Sequence, residues 1–443
     1  MYTIPTLIIG AGVAGASLAC SLAGRENGRG VVVVDPDVFG KLSSSELNPG
    51  GIRASFAKPL LVKLALQSID YYQQVAQKVD FRRCGYLWLH ATENPGRTRK
   101  FLPVMREFDI PLQELSTEDV ASRYPYLSNL TDVSGATLTL TDGRLSPHKL
   151  RLHYLNHAQA GGVELMDGWV VTKIDGDRSP FDVTLTKVTG RAVRKALVDG
   201  TTPGTPQTSV ASQTLGAAQG SVTSQASVSA QTSGTAQTSS VNQTLTVRVT
   251  TLVNCAGPWA GRVAGSGGVT LPIRVSSRQG FLLHQPSLPI ESMPLIVDDA
   301  QQLGFRPFER DRRPCMFVSW SDPDAPRKFD FTFKGAPYYM EHVRPHVERR
   351  MPGLVGAELV GGWASHYDLS PDRLPIVGPV PGRAGMFNYN GLSIHGVILS
   401  RALGEAMAVQ LVHNRWPVGV DLNELTAGRF DQPRVSDASS DSA

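Results

Sequence analysis

At 443 residues, with 43 Lys and Arg against 39 Asp and Glu and a formal net charge of +4, the chain lacks the charge excess that nucleic acid or an anionic membrane demands of a partner. Its four cysteines, Cys20, Cys84, Cys255 and Cys315, stand too far apart for a metal-binding pair or a disulfide framework. The length and an apolar content of 41% suit a two-domain globular protein.

The first predicted elements form one unit. Leu7-Ile8-Ile9 reads as a buried strand, Val13 to about Ala23 as a helix of small residues, and Val31 to Val34 as a second strand ending in Asp35. Between strand and helix stands Gly10-Ala11-Gly12-Val13-Ala14-Gly15, a G-x-G-x-x-G turn. Gly10 permits the tight turn, Gly12 lets backbone approach a pyrophosphate, and Gly15 lets helix pack closely on strand. Val13 and Ala14 open the helix, whose unpaired N–H groups and positive dipole end suit the phosphates. Asp35, twenty positions after Gly15, is placed to accept hydrogen bonds from a ribose. The unit predicts an adenine dinucleotide as ligand. It has no basic flank of a signal peptide, and glycines interrupt it too often for a membrane span. Reduced thiols in the cytoplasm are therefore expected.

Further along, Lys58 to Val79 has helical periodicity, Tyr86 to Leu89 reads as a strand, Thr117 to Tyr124 as a short helix and Pro147 to Ala160 as a longer one. Gly161-Gly162 turns into another strand. Phe181 to Thr189 and Leu245 to Asn254 alternate as strands. Between them, residues 200–247 carry no charge and nearly repeat themselves in Ser, Thr, Gln and Ala. Such a segment has too little apolar surface to build a core, and reads as a disordered insertion at a hairpin tip, where added length costs little. Residues 271–330 are strand-rich, Pro337 to Arg350 looks helical, and Gly396 to Val412 is a strongly apolar final helix. The polar tail 431–443 reads as disordered. An opening βαβ unit, an interposed strand-rich block and a late helix predict an α/β fold with a second, antiparallel domain inserted.

Three later segments narrow the ligand. Val253-Asn254-Cys255-Ala256-Gly257-Pro258-Trp259-Ala260 is a strand running into small residues. Trp363-Ala364 leads to Ser370-Pro371-Asp372-Arg373-Leu374-Pro375-Ile376-Val377-Gly378. Asn390-Gly391-Leu392-Ser393-Ile394-His395-Gly396 precedes the last helix. In order and spacing these resemble the FAD-contacting segments of the D-amino-acid oxidase superfamily, which includes sarcosine and glycine oxidases and the dimethylglycine and sarcosine dehydrogenases. Arg144, Pro147 and Leu150 sit in a stretch that resembles the same superfamily, and Gly50-Gly51-Ile52-Arg53-Ala54 is similar to the sarcosine and dimethylglycine dehydrogenases and to FAD-dependent oxidoreductase domain-containing proteins. The resemblance spans nearly the whole chain outside 200–247.

That resemblance implies a Rossmann-like FAD-binding domain of the glutathione-reductase-2 type, formed by 1–85, 142–270 and 355–430, with an antiparallel substrate domain from 86–141 and 271–354. It implies FAD as cofactor, a small-molecule amine or amino acid as substrate, and oxygen or a redox partner as electron acceptor. Beyond the opening unit it carries cofactor contacts onto Ser44, Ser45, Gly51, Val170, Ala256, Gly257, Trp259, Asp372, Gly391, Ser393, His395, Gly396 and Val397. A helix starting at Gly396 would aim N–H groups at the flavin edge where negative charge grows on reduction.

For chemistry, the resemblance points to Arg306 as the grip on a substrate carboxylate, a task that suits the forked guanidinium. The plain alternative is a surface arginine beside Pro307. Arg53 resembles an arginine near the flavin, with a structural contact as its alternative. His366 and Tyr367 fall where the family lines the flavin face, and His395 where it shapes the pocket; interface packing or a satisfied structural histidine are the competing roles. The positions at which relatives attach flavin covalently hold Ser365 and Asn48, neither a suitable nucleophile, so non-covalent FAD is expected. Cys315 lies outside both positions and reads as a small buried residue. A lysine that grips carboxylate in sarcosine oxidase is replaced by Ile398, so the substrate grip differs. Two other readings stay open: a flavin-binding assembly protein without turnover, and an NAD-dependent dehydrogenase resting on the opening motif alone.

Overall fold

A computed structural model describes residues 2–26, 28–40, 43–94, 96–188 and 243–431. The opening unit forms as its pattern dictates: β1 (Tyr2–Ile9), α1 (Val13–Glu26) and β2 (Val31–Asp35). β1 and β2 run parallel, with Ile9 opposite Val34. On its other side β1 pairs in parallel with β3 (Thr244–Asn254), with Ile9 opposite Asn254. Three adjacent strands therefore end together, which puts Gly10, Asp35 and Cys255 at one edge of the sheet. The carboxyl ends of parallel strands are where α/β sheets leave a crevice. Among the described residues this first sheet has eight strands, with Glu164–Asp167 beyond β2 and Met386–Asn390 and Ile376–Pro379 beyond β3.

The hairpin at the predicted insertion forms as expected. Phe181–Lys187 lies antiparallel to β3, from Phe181 opposite Val249 to Thr186 opposite Thr244. Residues 244–247, assigned on composition to the insertion, are the first turns of β3's ladder, because Thr and Val alternate there as a strand requires. The rest of the insertion, 200–242, and the tail beyond Asp431 lie outside the described residues.

The second sheet also has eight strands, ordered β6, β4, Arg313–Trp320, β5, Leu295–Asp298, Tyr86–Ala91, Val133–Thr139, Leu112–Leu115. Here β4 is Arg274–His284, β5 is Leu303–Arg310 and β6 is Glu358–Leu369. All its neighbours are antiparallel except Leu295–Asp298 against Tyr86–Ala91. β6 pairs with β4 from Arg274 opposite Leu369 to His284 opposite Glu358. The resemblance groups 355–430 with the nucleotide domain, but β6 belongs to the second sheet and the chain rejoins the first only at Ile376. A strand's alternation shows that it is half-buried without showing which sheet it joins.

The final helix, α2 (Gly396–His413), packs against α1 in the main core. The approach is close: a Cβ on Gly404 would lie 2.6 Å from Ser17 Oγ. Two predicted helices are broken. The 58–79 helix divides into Pro59–Gln74 and Ala76–Val79 at Val75, and the 337–350 segment contains a wide turn at Tyr339–Val343 before Arg344–Arg350. Among the described residues no helix is long and apolar enough to cross a membrane.

Candidate functional site

The ends of β1, β2 and β3 open on a cleft of about 1610 Å³, counting the space at its mouth. Gly10, Gly12, Val13, Ala14 and Asp35 form its floor, with Ser44, Ser45 and Val170 on one wall. Ala256, Gly257 and Trp259 form another wall, and Tyr367, Ser393, Gly396 and Val397 close its far end. Segments far apart in the chain thus meet around one space.

The glycine turn is held by contacts that exclude side chains. Gly10 has φ +107°, and a Cβ there would sit 2.6 Å from the Cys255 carbonyl oxygen. Gly15 lies behind the turn, where a Cβ would meet the Gly10 carbonyl oxygen at 1.9 Å. Asp35 accepts from the Ala11 N–H at 2.7 Å and from the Asp37 N–H at 2.8 Å. Burial pushes its carboxyl up, and those two N–H groups oppose the shift. At the start of α1, Val13 N–H donates to Ser45 Oγ at 2.9 Å, which lays the 43–48 loop against the helix N-terminus.

Arg151 organises this region and is absent from the residues that the family motifs mark. Fully buried, it donates from Nε to Glu46 Oε1 at 2.6 Å and from Nη2 to the Gly40 carbonyl at 3.1 Å. Its Nη1 reaches the Ala11 carbonyl at 3.3 Å. One guanidinium therefore ties the glycine turn to the loop after β2. The signal in the sequence is a charged residue beside Leu150, Tyr154 and Leu155 on the buried face of the Pro147–Ala160 helix.

At the far end, α2 begins without a side-chain cap at His395, which leaves its first N–H groups facing the cleft through Gly396 and Val397. Asp368 Oδ2 accepts from Leu392 N–H at 3.0 Å and anchors the turn that precedes α2. Burial raises the Asp368 carboxyl to about 7 against the pull of backbone N–H groups. A folded value above the unfolded one favours the protonated form. Asp368 therefore contributes stability that is complete below about pH 4 and is lost as pH rises to about 7. Without FAD, Asp368→Asn is expected to gain on the wild type by a few kcal/mol across that window. Chemical-denaturation curves at pH 4.5 and 8 check this, and parallel curves would refute it.

Neighbours on a strand face opposite ways, and β6 separates two of the predicted residues on that account. Tyr367 lines the cleft. His366 does not: it is buried, its Nε2 accepts from Asp330 N–H at 2.9 Å, and its ring packs 4.2 Å from that of Phe331. Burial lowers it to about 4, so it is neutral near pH 7.

Arg53 and Arg306 are not part of the cleft wall. The Tyr86 hydroxyl feels both guanidiniums and Tyr367. Arg53 donates to the Ser55 carbonyl and sits over the rings of Phe56 and Trp88, at 4.6 and 5.3 Å. Arg306 donates from Nη2 to the Leu145 carbonyl at 3.2 Å, and its Nε has no partner. Burial, and then the nearby Arg144 charge, lower the Arg306 guanidinium to about 9. His395 packs edge-on against Phe56, its Nδ1 is buried without a partner, and burial with the Arg53 charge holds it neutral at about 3.

Besides Gly15 and His395, three more predicted cofactor residues stand apart from the cleft wall. Asp372 is engaged by Arg429 at 2.8 and 3.0 Å and by Leu374 N–H. Gly51 backs onto the Tyr86 hydroxyl, and Gly391 turns the chain at φ +62° against Ile376. At the two covalent-anchor positions, Asn48 borders the cleft and its side chain accepts from Gly50 N–H at 2.7 Å, while Ser365 lies on β6. Cys315 is buried, as expected, and Ile398 is buried in α2. No group of three metal-binding side chains occurs among the described residues.

Comparison with known proteins agrees with this geometry. The profile of the DAO family, described as FAD dependent oxidoreductase, matches residues 6–222 and 213–410. FAD-dependent oxidoreductase domain-containing protein 1 of Xenopus laevis is 25% identical over 96% of this chain and 82% of its own. Human mitochondrial sarcosine dehydrogenase is 24% identical over 41% of this chain and 20% of its own. Among solved structures, glycine oxidase from Geobacillus kaustophilus superposes with a TM-score of 0.71 at 20% identity, covering 97% of this chain and 99% of that one. L-proline dehydrogenase from P. horikoshii gives 0.72 at 16% identity, covering 97% and 98%. These structural likenesses establish the fold.

Proposed function

The chain belongs to the DAO family of FAD dependent oxidoreductases, and from that premise we propose that it oxidises the C–N bond of an amine or amino acid to an imine, which water then hydrolyses. FAD is its cofactor, and the residues present fit it. The floor is glycine where phosphate must approach, Ser44 Oγ and Trp259 Nε1 are buried polar atoms without partners, and a helix N-terminus stands at each end of the cleft. When bound, FAD supplies the acceptor for the hydride that leaves the substrate α-carbon.

This chain's residues supply the rest. α1 and the glycine turn hold the ADP half, and Asp35 keeps free lone pairs for a ribose. The α2 N–H groups stabilise negative charge at the flavin's far end. Tyr367 borders the space where the reacting carbon must lie, and Arg306 holds the substrate carboxylate. With Ser365 and Asn48 at the anchor positions, FAD is held non-covalently. The first sheet serves the cofactor and the second the substrate.

One observation carries this reading: the glycine turn, Ala256-Gly257 and the start of α2 line a single cleft. The experiment is anaerobic flavin reduction against sarcosine, glycine, cyclic amines and D-amino acids. Acid precipitation should leave all the flavin in the supernatant, and at least one amine should bleach the 450 nm band in a single phase. Rapid reoxidation in air marks an oxidase and slow reoxidation a dehydrogenase. An unreduced flavin across the panel would refute turnover and leave an assembly role.

A further inference from the structure

Among the described residues that line the cleft, the charged ones are Asp35, Asp37, Asp368, Arg151 and Arg262. Arg151 is engaged by Glu46 and by backbone carbonyls. Arg262 is not engaged: no carboxylate acts on it, burial alone lowers its guanidinium, and its Nη1 is buried without a hydrogen-bond partner. Trp259, on the same wall, adds a second donor, because its Nε1 is also buried without a partner. One ring seats both side chains. Trp259 stacks on Phe329 with centroids 5.0 Å apart, and Arg262 Cζ stands 4.8 Å from the centroid of that ring. An aromatic face steadies a cation and leaves the N–H groups at the guanidinium edge free for an acceptor. Buried donors without acceptors are costly, and each calls for a ligand or ion that completes it.

The two residues belong to the wall that abuts the glycine turn. A Cβ on Gly10 would lie 2.6 Å from the Cys255 carbonyl oxygen and 3.1 Å from Ala256 Cα. From Ala256 one tight turn, closed by Trp259 N–H to the Ala256 carbonyl at 3.0 Å, leads into the short helix Ala260–Gly265 that carries Arg262. A pyrophosphate diester is doubly anionic, whereas the α1 N-terminus offers about half of one positive charge. Asp35 and Asp37 border the same end of the cleft and add none. The pyrophosphate is also the charged part of FAD. We infer that Arg262, flanked by Trp259 Nε1, is the cationic grip on the FAD pyrophosphate. The family motifs do not mark Arg262. The inference rests on FAD as cofactor and not on the amine reaction.

Titration of flavin-free protein with FAD, followed by fluorescence quenching, tests this, with ADP and adenosine as competitors. Arg262→Met is expected to raise Kd for FAD and for ADP about tenfold or more, the size of one charge-assisted contact, and to leave adenosine binding unchanged. Arg262→Lys should recover part of the loss, and Kd should rise less steeply with salt in Arg262→Met than in the wild type. Trp259→Phe keeps a ring on Phe329 and removes the donor, so it should weaken FAD and ADP but not adenosine. Without ligand, Arg262→Met should melt no lower than the wild type, because the fold loses a desolvated cation that has no partner. Unchanged FAD affinity in Arg262→Met overturns the inference. An equal loss for adenosine and ADP also overturns it, by placing Arg262 on the adenine. A lower melting temperature without ligand, with Arg262→Lys no better than Arg262→Met, overturns it by making the residue structural. The amine panel decides the reaction separately: a wild type that binds FAD through Arg262 and oxidises no amine supports the inference and overturns the reaction.

Discussion

Gly15→Ala is expected to purify without flavin and to unfold far more readily than the wild type. The added methyl would lie 1.9 Å from the Gly10 carbonyl oxygen and 3.2 Å from Ile8 Cγ2, so either α1 moves off β1 or the turn opens. The nearer atom is backbone, so no side-chain rotation relieves that contact. Overpacking of this kind costs about 3 kcal/mol or more. The displaced α1 no longer presents its N-terminus to the pyrophosphate, so affinity for FAD should fall by at least about a hundredfold. The ratio of 450 to 280 nm absorbance and an FAD titration followed by fluorescence quenching measure this. Gly12→Ala separates the two causes. There the nearest atom is Ser45 Oγ at 3.6 Å, an ordinary contact, so the fold should keep its melting temperature. The methyl instead enters the cleft where the phosphates approach, and only FAD binding should weaken. A Gly15→Ala protein with a wild-type absorbance ratio would overturn this account of the turn.

Arg306→Met should move activity and stability in opposite directions. With any carboxylate-bearing amine that reduces the flavin, kcat/KM is expected to drop by about a thousandfold, because removal of one partner of a buried charge pair costs about 2–5 kcal/mol. In the absence of ligand, the same guanidinium burdens the fold. It is desolvated, repelled by Arg144 and bonded through one of its three nitrogens to one carbonyl. Its folded value, about 9, lies below the ordinary one, so the charge destabilises the fold in full at every pH below about 9 and is relieved progressively only as pH climbs from there towards the ordinary arginine value. Methionine of similar volume removes the burden, and melting temperature at pH 7.5 should rise by a few degrees, about 1–2 kcal/mol. A variant that melts lower and turns over at the wild-type rate would show Arg306 to be structural.

Much of the cofactor end was legible because its physics is local. The G-x-G-x-x-G turn, the small-residue helix and Asp35 lie within one short βαβ unit, where each residue's task follows from its neighbours in the chain. Ser393, Gly396 and Val397 also line the cleft, since a helix start is a local event marked by small residues. His366 failed to join Tyr367 there for an equally local reason, the alternation of a strand. Arg151 escaped notice because its partners come from the loop after β2 and from the glycine turn, and no spacing in the sequence announces them.

By itself the sequence determined that this chain builds a dinucleotide-binding sheet and that it carries the later segments of an FAD protein. Tertiary structure alone decided which sheet β6 joins, which of two adjacent residues faces the cleft, and that Arg144 donates to the Pro307 carbonyl while Arg306 donates to that of Leu145. Backbone conformation is governed by neighbours in the chain, whereas the meeting of charges depends on how distant strands register, which local sequence does not encode.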